Sequence, residues 1–130
     1  MTRPHVLLYE PDQDTAGVLV ELFSQEEIVV TPCDSSDSLD QALVRDPYAI
    51  VVTNTWDPSS PRDLSTAERE GIAGLASKTW VIVTSTRPYA DQLQSLAGSE
   101  RIIFVSKPYD LNDMLAAVRR ASAGHRSAIR

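Results

Sequence analysis

Five short apolar runs, rich in branched residues, alternate with stretches of helical periodicity along the chain. Continuous apolar runs of this length are typical of strands that are buried on both faces of a sheet. Successive strands joined by right-handed helical crossovers form a parallel sheet with helices on both sides. The sequence therefore predicts an α/β, doubly wound (βα)5 fold, a three-layer sandwich with strands at His5–Tyr9, Ile28–Thr31, Ala49–Thr53, Trp80–Thr84 and Ile102–Ser106.

Polar residues between the apolar runs predict where the helices begin and end. Ser and Asp side chains accept hydrogen bonds from the free N–H groups of a first helical turn. Arg87-Pro88 fits the first turn of the fourth helix, and Gly98 fits the cap at its C-terminal end. The predicted N-caps are Asp14, Ser36, Ser65, which forms a capping box with Glu68, and Asp110.

Charge is distributed unevenly, and this bears on the kind of partner. The chain has a net charge of −6, yet residues 119–130 contain four arginines and no acidic residue. An acidic body repels the phosphates of nucleic acids, which argues against a nucleic-acid-binding domain. We expect one domain, residues 1–121, followed by a basic and frayed C-terminal tail, residues 122–130.

Two further features bear on localisation. No apolar stretch approaches the roughly 20 residues that span a bilayer, and the apolar run that follows Met1 is too short for a signal peptide. The single cysteine, Cys33, cannot form an internal disulfide, and no cationic neighbour in sequence activates its thiol. We therefore expect a cytoplasmic protein with no integral membrane segment and with an inert thiol at Cys33.

Polar residues also follow four of the five predicted strands. In a doubly wound sheet, ligands and chemistry gather at the carboxyl ends of the strands, beside the point where the strand order reverses. We expect the residues at these ends to meet in one small crevice. They are Glu10, Pro11 and Asp12 after the first strand, Asn54 after the third, Ser85 and Thr86 after the fourth, and Lys107 and Pro108 after the fifth.

This set of residues resembles the response-regulator receiver domain. In that family an acidic pair after the first strand binds magnesium, and an aspartate after the third strand accepts phosphate. The resemblance covers residues 5–121 and implies a flavodoxin-like sheet of strand order 2-1-3-4-5. It places Asn54 at the phosphate acceptor with Pro58 four residues later, Ser85 at the family's hydroxyl residue, Thr86 at the small residue, Phe104 at the aromatic of the fifth strand and Lys107 at the lysine, and it implies a cis Lys107–Pro108 bond.

Two positions depart from the family pattern. Pro11 replaces the second acid of the metal-binding pair, and Asn54 replaces the aspartate that accepts phosphate. Magnesium needs hard oxygen ligands, and an amide whose lone pair is delocalised cannot form an acyl phosphate. We expect no Mg2+ and no other cofactor, and we expect Lys107 to donate to Asn54 Oδ1 and to Glu10. The crevice is thus predicted to hold a degenerate metal site, Glu10, Pro11 and Asp12, and a degenerate phosphorylation site, Asn54, Ser85 and Lys107.

The resemblance implies a module of two-component signalling without enzymatic activity, and the departures at Pro11 and Asn54 imply that it acts through protein contact and without phosphorylation. In the family, partners and second copies bind the face formed by the fourth helix, the fifth strand and the fifth helix. We expect a protein partner, or a second copy of the chain, on that face, which also presents Arg87 and Gln92. Trp56 either shields the crevice or makes a contact. The implied switch and interface residues are Thr86, Tyr89, Phe104, Pro108 and Tyr109.

Three alternatives stay open. In the first alternative, a different register makes Asp57 the phosphate acceptor, because a proline also follows it by four residues. That register would extend the third strand through Thr55. In the second alternative, Asn54 is a laboratory substitution in a working receiver. One such change does not explain Pro11. A flavodoxin-like domain that binds a small molecule is the alternative from another class, against which the acidic, glycine-free turn Glu10–Gln13 argues.

Overall fold

A computed structural model of the chain describes residues 4–47, 49–55, 63–87 and 89–129, with side chains up to His125. Strands and helices alternate along these ranges. The elements are β1 (His5–Tyr9), α1 (Gln13–Gln25), β2 (Val29–Pro32), α2 (Ser36–Arg45), β3 (Ile50–Asn54), α3 (Thr66–Ala76), β4 (Val81–Ser85), α4 (Ala90–Gln94), a short 3-10 helix (Ser99–Arg101), β5 (Ile102–Ser106) and α5 (Leu111–Ile129).

The five strands form one parallel sheet of order β2-β1-β3-β4-β5. This confirms the expected doubly wound α/β fold and its strand order. Of the five strands, β1 and β5 have the predicted bounds, while β2, β3 and β4 each begin and end one residue later than predicted. Asn54 and Ser85 are therefore the last residues of their strands rather than the first residues beyond them.

The sheet separates two apolar cores, because successive side chains of a strand point to opposite faces. On one face, Val6 and Leu8 of β1 pack with buried residues of α1 and α5, among them Phe23 and Met114. On the other face, Leu7 packs with buried residues of α2, α3 and α4. Helices thus cover both faces, which explains why the strands are continuous apolar runs.

Two of the helices begin earlier than predicted. Asp12, and not Asp14, caps α1, and Ser35, and not Ser36, caps α2. In both places two polar residues lie close together, and the first of them has the extended backbone of a cap. The predicted capping box at the start of α3 is confirmed, and at the start of α5 Asp110 Oδ1 accepts the Asn112 N–H at 2.8 Å.

The last two helices differ most from the prediction. The fourth helix has only five residues, and Gly98, with a φ of +80°, precedes the 3-10 helix instead of ending α4. The fifth helix continues to Ile129, so the expectation of a frayed tail from residue 122 is wrong for the backbone. None of the described helices is both long and apolar enough to cross a membrane.

Candidate functional site

The candidate site lies at the carboxyl edge of the sheet, where four strands end side by side. The end of β3 pairs with the end of β4, with Asn54 opposite Thr84, and β4 in turn pairs with β5. Glu10 follows β1, which pairs with β3, and Lys107 follows β5. The structure thus brings together the strand ends that carry the sequence-predicted crevice.

A nearly buried ion pair closes this crevice. Lys107 Nζ donates to Glu10 Oε1 at 2.5 Å, across 97 positions of sequence. Only 3% of the Glu10 side chain and 17% of the Lys107 side chain are exposed. The second carboxylate oxygen, Glu10 Oε2, accepts the Asp12 N–H at 3.1 Å. Both oxygens of Glu10 are therefore engaged within the chain.

The Asp12 side chain caps the first helix. Its Oδ2 accepts the Thr15 N–H at 3.1 Å and also the Thr15 hydroxyl. These two hydrogen bonds, the hydroxyl bond first, lower the pKa of Asp12 below its usual range, because each favours the charged carboxylate. Pro11, which lies between Glu10 and Asp12 in the sequence, is exposed and offers no side-chain oxygen.

The side chain of Asn54, at the acceptor position, forms hydrogen bonds with a residue of β4 and with the residue that follows it in the sequence. Its Oδ1 accepts the Thr84 hydroxyl at 3.4 Å, and its Nδ2 donates to the Thr55 carbonyl at 2.9 Å. The predicted hydrogen bond from Lys107 to Asn54 is wrong, because within the described ranges Lys107 bonds to Glu10. A carboxylate attracts the ammonium more strongly than a neutral amide does, which explains this choice.

The Ser85 hydroxyl is tied to the crevice as well. Ser85 is buried, with 2% of its surface exposed. Its Oγ accepts the Thr55 hydroxyl at 3.0 Å and the Arg87 N–H at 3.1 Å. Sequence reasoning missed the roles of Thr55 and Thr84, although hydroxyl residues beside the last positions of two neighbouring strands were a usable signal.

Tyr109 and Pro108 lie beside the ion pair, on the side of α1. The Lys107–Pro108 bond is cis, as the resemblance implied. The Tyr109 hydroxyl is buried and, among the described residues, has no hydrogen-bond partner. Burial, and secondly the charge of Glu10, raises the pKa of Tyr109 to about 12. An exposed Thr86 and the apolar side chains of Val18 and Leu111 complete a surface groove of about 510 Å³ here.

Of the predicted interface aromatics, Tyr89 is buried and Phe104 is partly exposed. Tyr89 is 0% exposed and belongs to the core between the sheet and α2–α4, so the prediction that the surface presents it is wrong. Tyr89 is also the N-cap residue of α4. Phe104 instead lines shallow grooves on β5 together with Arg120.

Some predicted positions lie outside the described residues: Trp56, Asp57, Pro58 and Pro88. For Asp57, the described part of the chain still bears on the alternative register. That register requires β3 to extend through Thr55, whereas the strand ends at Asn54.

Cys33 and His5 are not among the crevice residues, and neighbouring side chains define the environment of each. Burial, and secondly the charge of Asp34, raises the pKa of the Cys33 thiol, which disfavours the reactive thiolate. His5 lies between Asp46 Oδ2, at 2.6 Å from its Nδ1, and Thr31 Oγ1, at 2.7 Å from its Nε2. Its ring thus joins β1 to β2 and to the end of α2.

Solved receiver domains match this structure over nearly its full length. The signal receiver domain of an HD domain-containing protein from Pseudomonas fluorescens Pf-5 matches with a TM-score of 0.78 at 19% identity, over 98% of this chain and 93% of that one. A response regulator receiver domain protein from Clostridium thermocellum matches with a TM-score of 0.75 at 16% identity, over 96% and 98% of the two chains. This chain has the receiver-domain fold.

The receiver-domain fold does not by itself fix an activity. An adenylate cyclase structure from Rhodopirellula baltica matches with a TM-score of 0.77 at 15% identity, over 98% of this chain and 93% of that one. Neither a protein-family model nor a curated protein matches the sequence. The side chains of the crevice therefore decide which function the fold can support.

Those side chains do not fit the Mg2+ ion that receiver domains hold at this edge. Such an ion needs several hard oxygen ligands in near-octahedral geometry. Here Glu10 is paired with Lys107, Pro11 has no side-chain ligand atom, and Asp12 caps α1. In residues 4–47, 49–55, 63–87 and 89–129, no three His, Cys, Asp or Glu side chains are grouped to hold a metal.

Proposed function

We propose that the chain is a receiver-type signalling module that acts through protein contact and is neither phosphorylated at position 54 nor controlled by Mg2+. The main support for this proposal is the ion pair between Glu10 and Lys107. It engages the one acid that is left of the family's metal-binding pair, Glu10, and the ammonium group of the crevice, Lys107. We also propose that the chain has no enzymatic activity of its own.

The ion pair opposes metal binding in two ways. A divalent ion in the crevice would lie close to the Lys107 ammonium and be repelled by it, unless Lys107 first left Glu10. At an effective dielectric constant near 20, a pair of unit charges about 4 Å apart is worth on the order of 4 kcal/mol. Displacing Lys107 would lose a Coulomb attraction of this order, which hydration of the freed ammonium offsets only in part, and Pro11 supplies no replacement side-chain ligand.

Asn54 lacks the chemistry of a phosphate acceptor. The amide lone pair is delocalised into the carbonyl, so the side chain has no nucleophilic oxygen comparable to a carboxylate. Its two polar atoms also make hydrogen bonds to Thr84 and Thr55. Because the Asn54 amide is hydrogen-bonded at both polar atoms and cannot be phosphorylated, it favours a crevice with one fixed conformation over a phosphorylation switch.

The proposed partner surface is the face formed by α4, β5 and α5. A groove of about 510 Å³ runs along it between β5 and α5, with Phe104 and Tyr109 on its walls and Asp113 and Arg120 among its lining residues. Aromatic and arginine side chains are enriched at the centres of protein interfaces. We propose a protein partner there, including a second copy of the chain.

The test is to incubate the protein with acetyl phosphate and Mg2+ and to measure its intact mass. We expect the mass to stay unchanged, and a matched variant with Asn54→Asp and Pro11→Asp to gain about 80 Da, the mass of one phosphoryl group. A hydroxylamine-sensitive gain in the wild-type chain would overturn the proposal. Mapping that gain to Asp57 would establish the alternative register, and bound flavin or nucleotide absorbance would favour the small-molecule class.

A further inference from the structure

One polar side chain, Gln92, joins α4 to the segment that leads into α3. Its Oε1 accepts the Leu64 N–H at 2.6 Å and the Arg69 guanidinium at 3.1 Å. Its Nε2 donates to Asp63 Oδ1 at 3.2 Å. The network closes on itself, because Arg69 Nε also donates to the Leu64 carbonyl at 3.2 Å.

Helix α4 needs such an anchor. It has five residues, and its N-cap, Tyr89, makes no side-chain capping bond. A helix this short is not stable by itself and depends on tertiary contacts. Below the polar network, Leu93 and Tyr89 share one apolar core with Leu64, so polar and apolar contacts join the same two segments.

A second connection leads from α4 to the crevice. Arg87, two residues before the α4 cap, donates its N–H to Ser85 Oγ and its guanidinium to Tyr89 Oη, at 3.1 and 3.4 Å. Ser85 Oγ in turn accepts the Thr55 hydroxyl, one residue after Asn54. The residues just before α4 and the middle of the helix are thus tied to the two described edges of the β3–α3 connection, at Thr55 and at Leu64.

We propose that Gln92 is the positioning residue that fixes α4 in one orientation against Asp63, Leu64 and Arg69, so that the partner face formed by α4, β5 and α5 keeps one shape. The inference rests on the proposed function, in which α4 contributes to the partner face. It changes the sequence-based expectation for Gln92, because its side chain bonds inward to Asp63, Leu64 and Arg69.

The test compares Gln92→Leu with Gln94→Leu by amide hydrogen exchange of the full chain. Gln94 is exposed on the same helix, so its variant controls for the loss of a glutamine. We expect Gln92→Leu to speed exchange of the Leu64 and Leu93 amides about tenfold or more, because the Leu64 N–H loses its acceptor and α4 loses an anchor. The amide of Val83, in the centre of the sheet, should exchange at the wild-type rate.

A third variant separates positioning from general stability. Gln92→Glu keeps an oxygen for Leu64 and Arg69 but faces the Asp63 carboxylate, so we expect it to retain slow exchange at Leu64 to within about threefold. The inference is overturned if Gln92→Leu leaves Leu64 and Leu93 at their wild-type rates, or if it accelerates Val83 equally. The mass measurement on the wild-type chain tests the proposed function separately, because it does not depend on Gln92.

Discussion

The pairing of Glu10 with Lys107 decides what the crevice residues can do. A buried ion pair contributes little net stability, because desolvation of both charges offsets their attraction. Removing one partner is a different matter, since the other charge is then left buried without compensation. Glu10 is the more enclosed of the two, so the loss of Lys107 is the more damaging change.

We predict that Lys107→Met lowers the free energy of unfolding by about 3 kcal/mol, because it leaves the Glu10 carboxylate unpaired in a nearly buried position. Urea denaturation would measure the change. The double variant Glu10→Gln with Lys107→Met should recover most of the loss, since no uncompensated charge remains. Lys78→Met, at an exposed lysine, is the matched control and should change stability by less than about 0.5 kcal/mol. Equal effects of Lys107→Met and Lys78→Met would contradict a structural role for the ion pair.

Tyr109 gives a prediction about alkaline pH. Its pKa is raised from 10.0 to about 12, so folding favours the neutral phenol. The stability that this contributes is fully present below pH 10 and is lost as the pH rises through about 12. We predict that Tyr109→Phe removes this alkaline loss and, by deleting a buried hydroxyl, raises stability at neutral pH by about 1 kcal/mol.

The measurement for Tyr109 is unfolding by urea at a series of pH values, with tyrosinate absorbance followed in parallel. Tyr9→Phe serves as the control, because Tyr9 lies at the end of β1 on the other face of the sheet. A Tyr9→Phe variant that also loses the alkaline decline would show that the effect is not specific to Tyr109.

At the scale of the elements, Gly74 of α3 and Gly124 of α5 have opposite surroundings. A Cβ added at Gly124 in α5 would come within 2.2 Å of the Trp80 ring, whereas one at Gly74 in α3 would meet nothing within 4 Å. We predict that Gly124→Ala destabilises the protein by about 1–3 kcal/mol, because the Trp80 ring must move. Gly74→Ala should stabilise it by about 0.5–1 kcal/mol through helix propensity. Thermal and urea unfolding would measure both, and equal signs would contradict the packing of α5 on Trp80.

Elements with a strong local signal were predictable from the sequence. The apolar runs place all five strands to within one residue, and the Ser65–Glu68 spacing locates the start of α3. These signals are local, because side-chain period and capping chemistry act within a few residues. The strand-end set was predictable for the same reason, since strand ends fix which residues share the carboxyl edge.

Features that depend on tertiary competition were not predictable. Asp12 and Asp14 are both chemically able to cap α1, and the chain path decides between them. The sequence offered Lys107 two acceptors, Asn54 and Glu10. Residue spacing along the chain does not determine which of them lies within hydrogen-bond distance of the ammonium. Neither the burial of Tyr89 nor the shortness of α4 has a local marker in the sequence.

At the scale of the whole molecule, a bound metal would stabilise the folded chain. Any ligand that binds only the native state adds RT ln(1 + [L]/Kd) to the free energy of unfolding. At a hundredfold excess over Kd this is about 2.7 kcal/mol, which raises the melting temperature of a domain of this size by on the order of 10 °C. Thermal unfolding with and without Mg2+ therefore reports on the crevice without any assumption about phosphate chemistry.

We predict that Mg2+ leaves the melting temperature of the wild-type chain within about 1 °C of its value in a chelator. Asn54→Asp alone should also show no shift, because Pro11 still supplies no ligand and Glu10 remains paired with Lys107. Adding Pro11→Asp to that variant gives the strand ends two carboxylates that the wild-type chain lacks, and Mg2+ should then raise its melting temperature by several degrees. A full shift in the Asn54→Asp single variant would show that Lys107 yields Glu10 readily, and the ion pair would then not be what keeps the metal out.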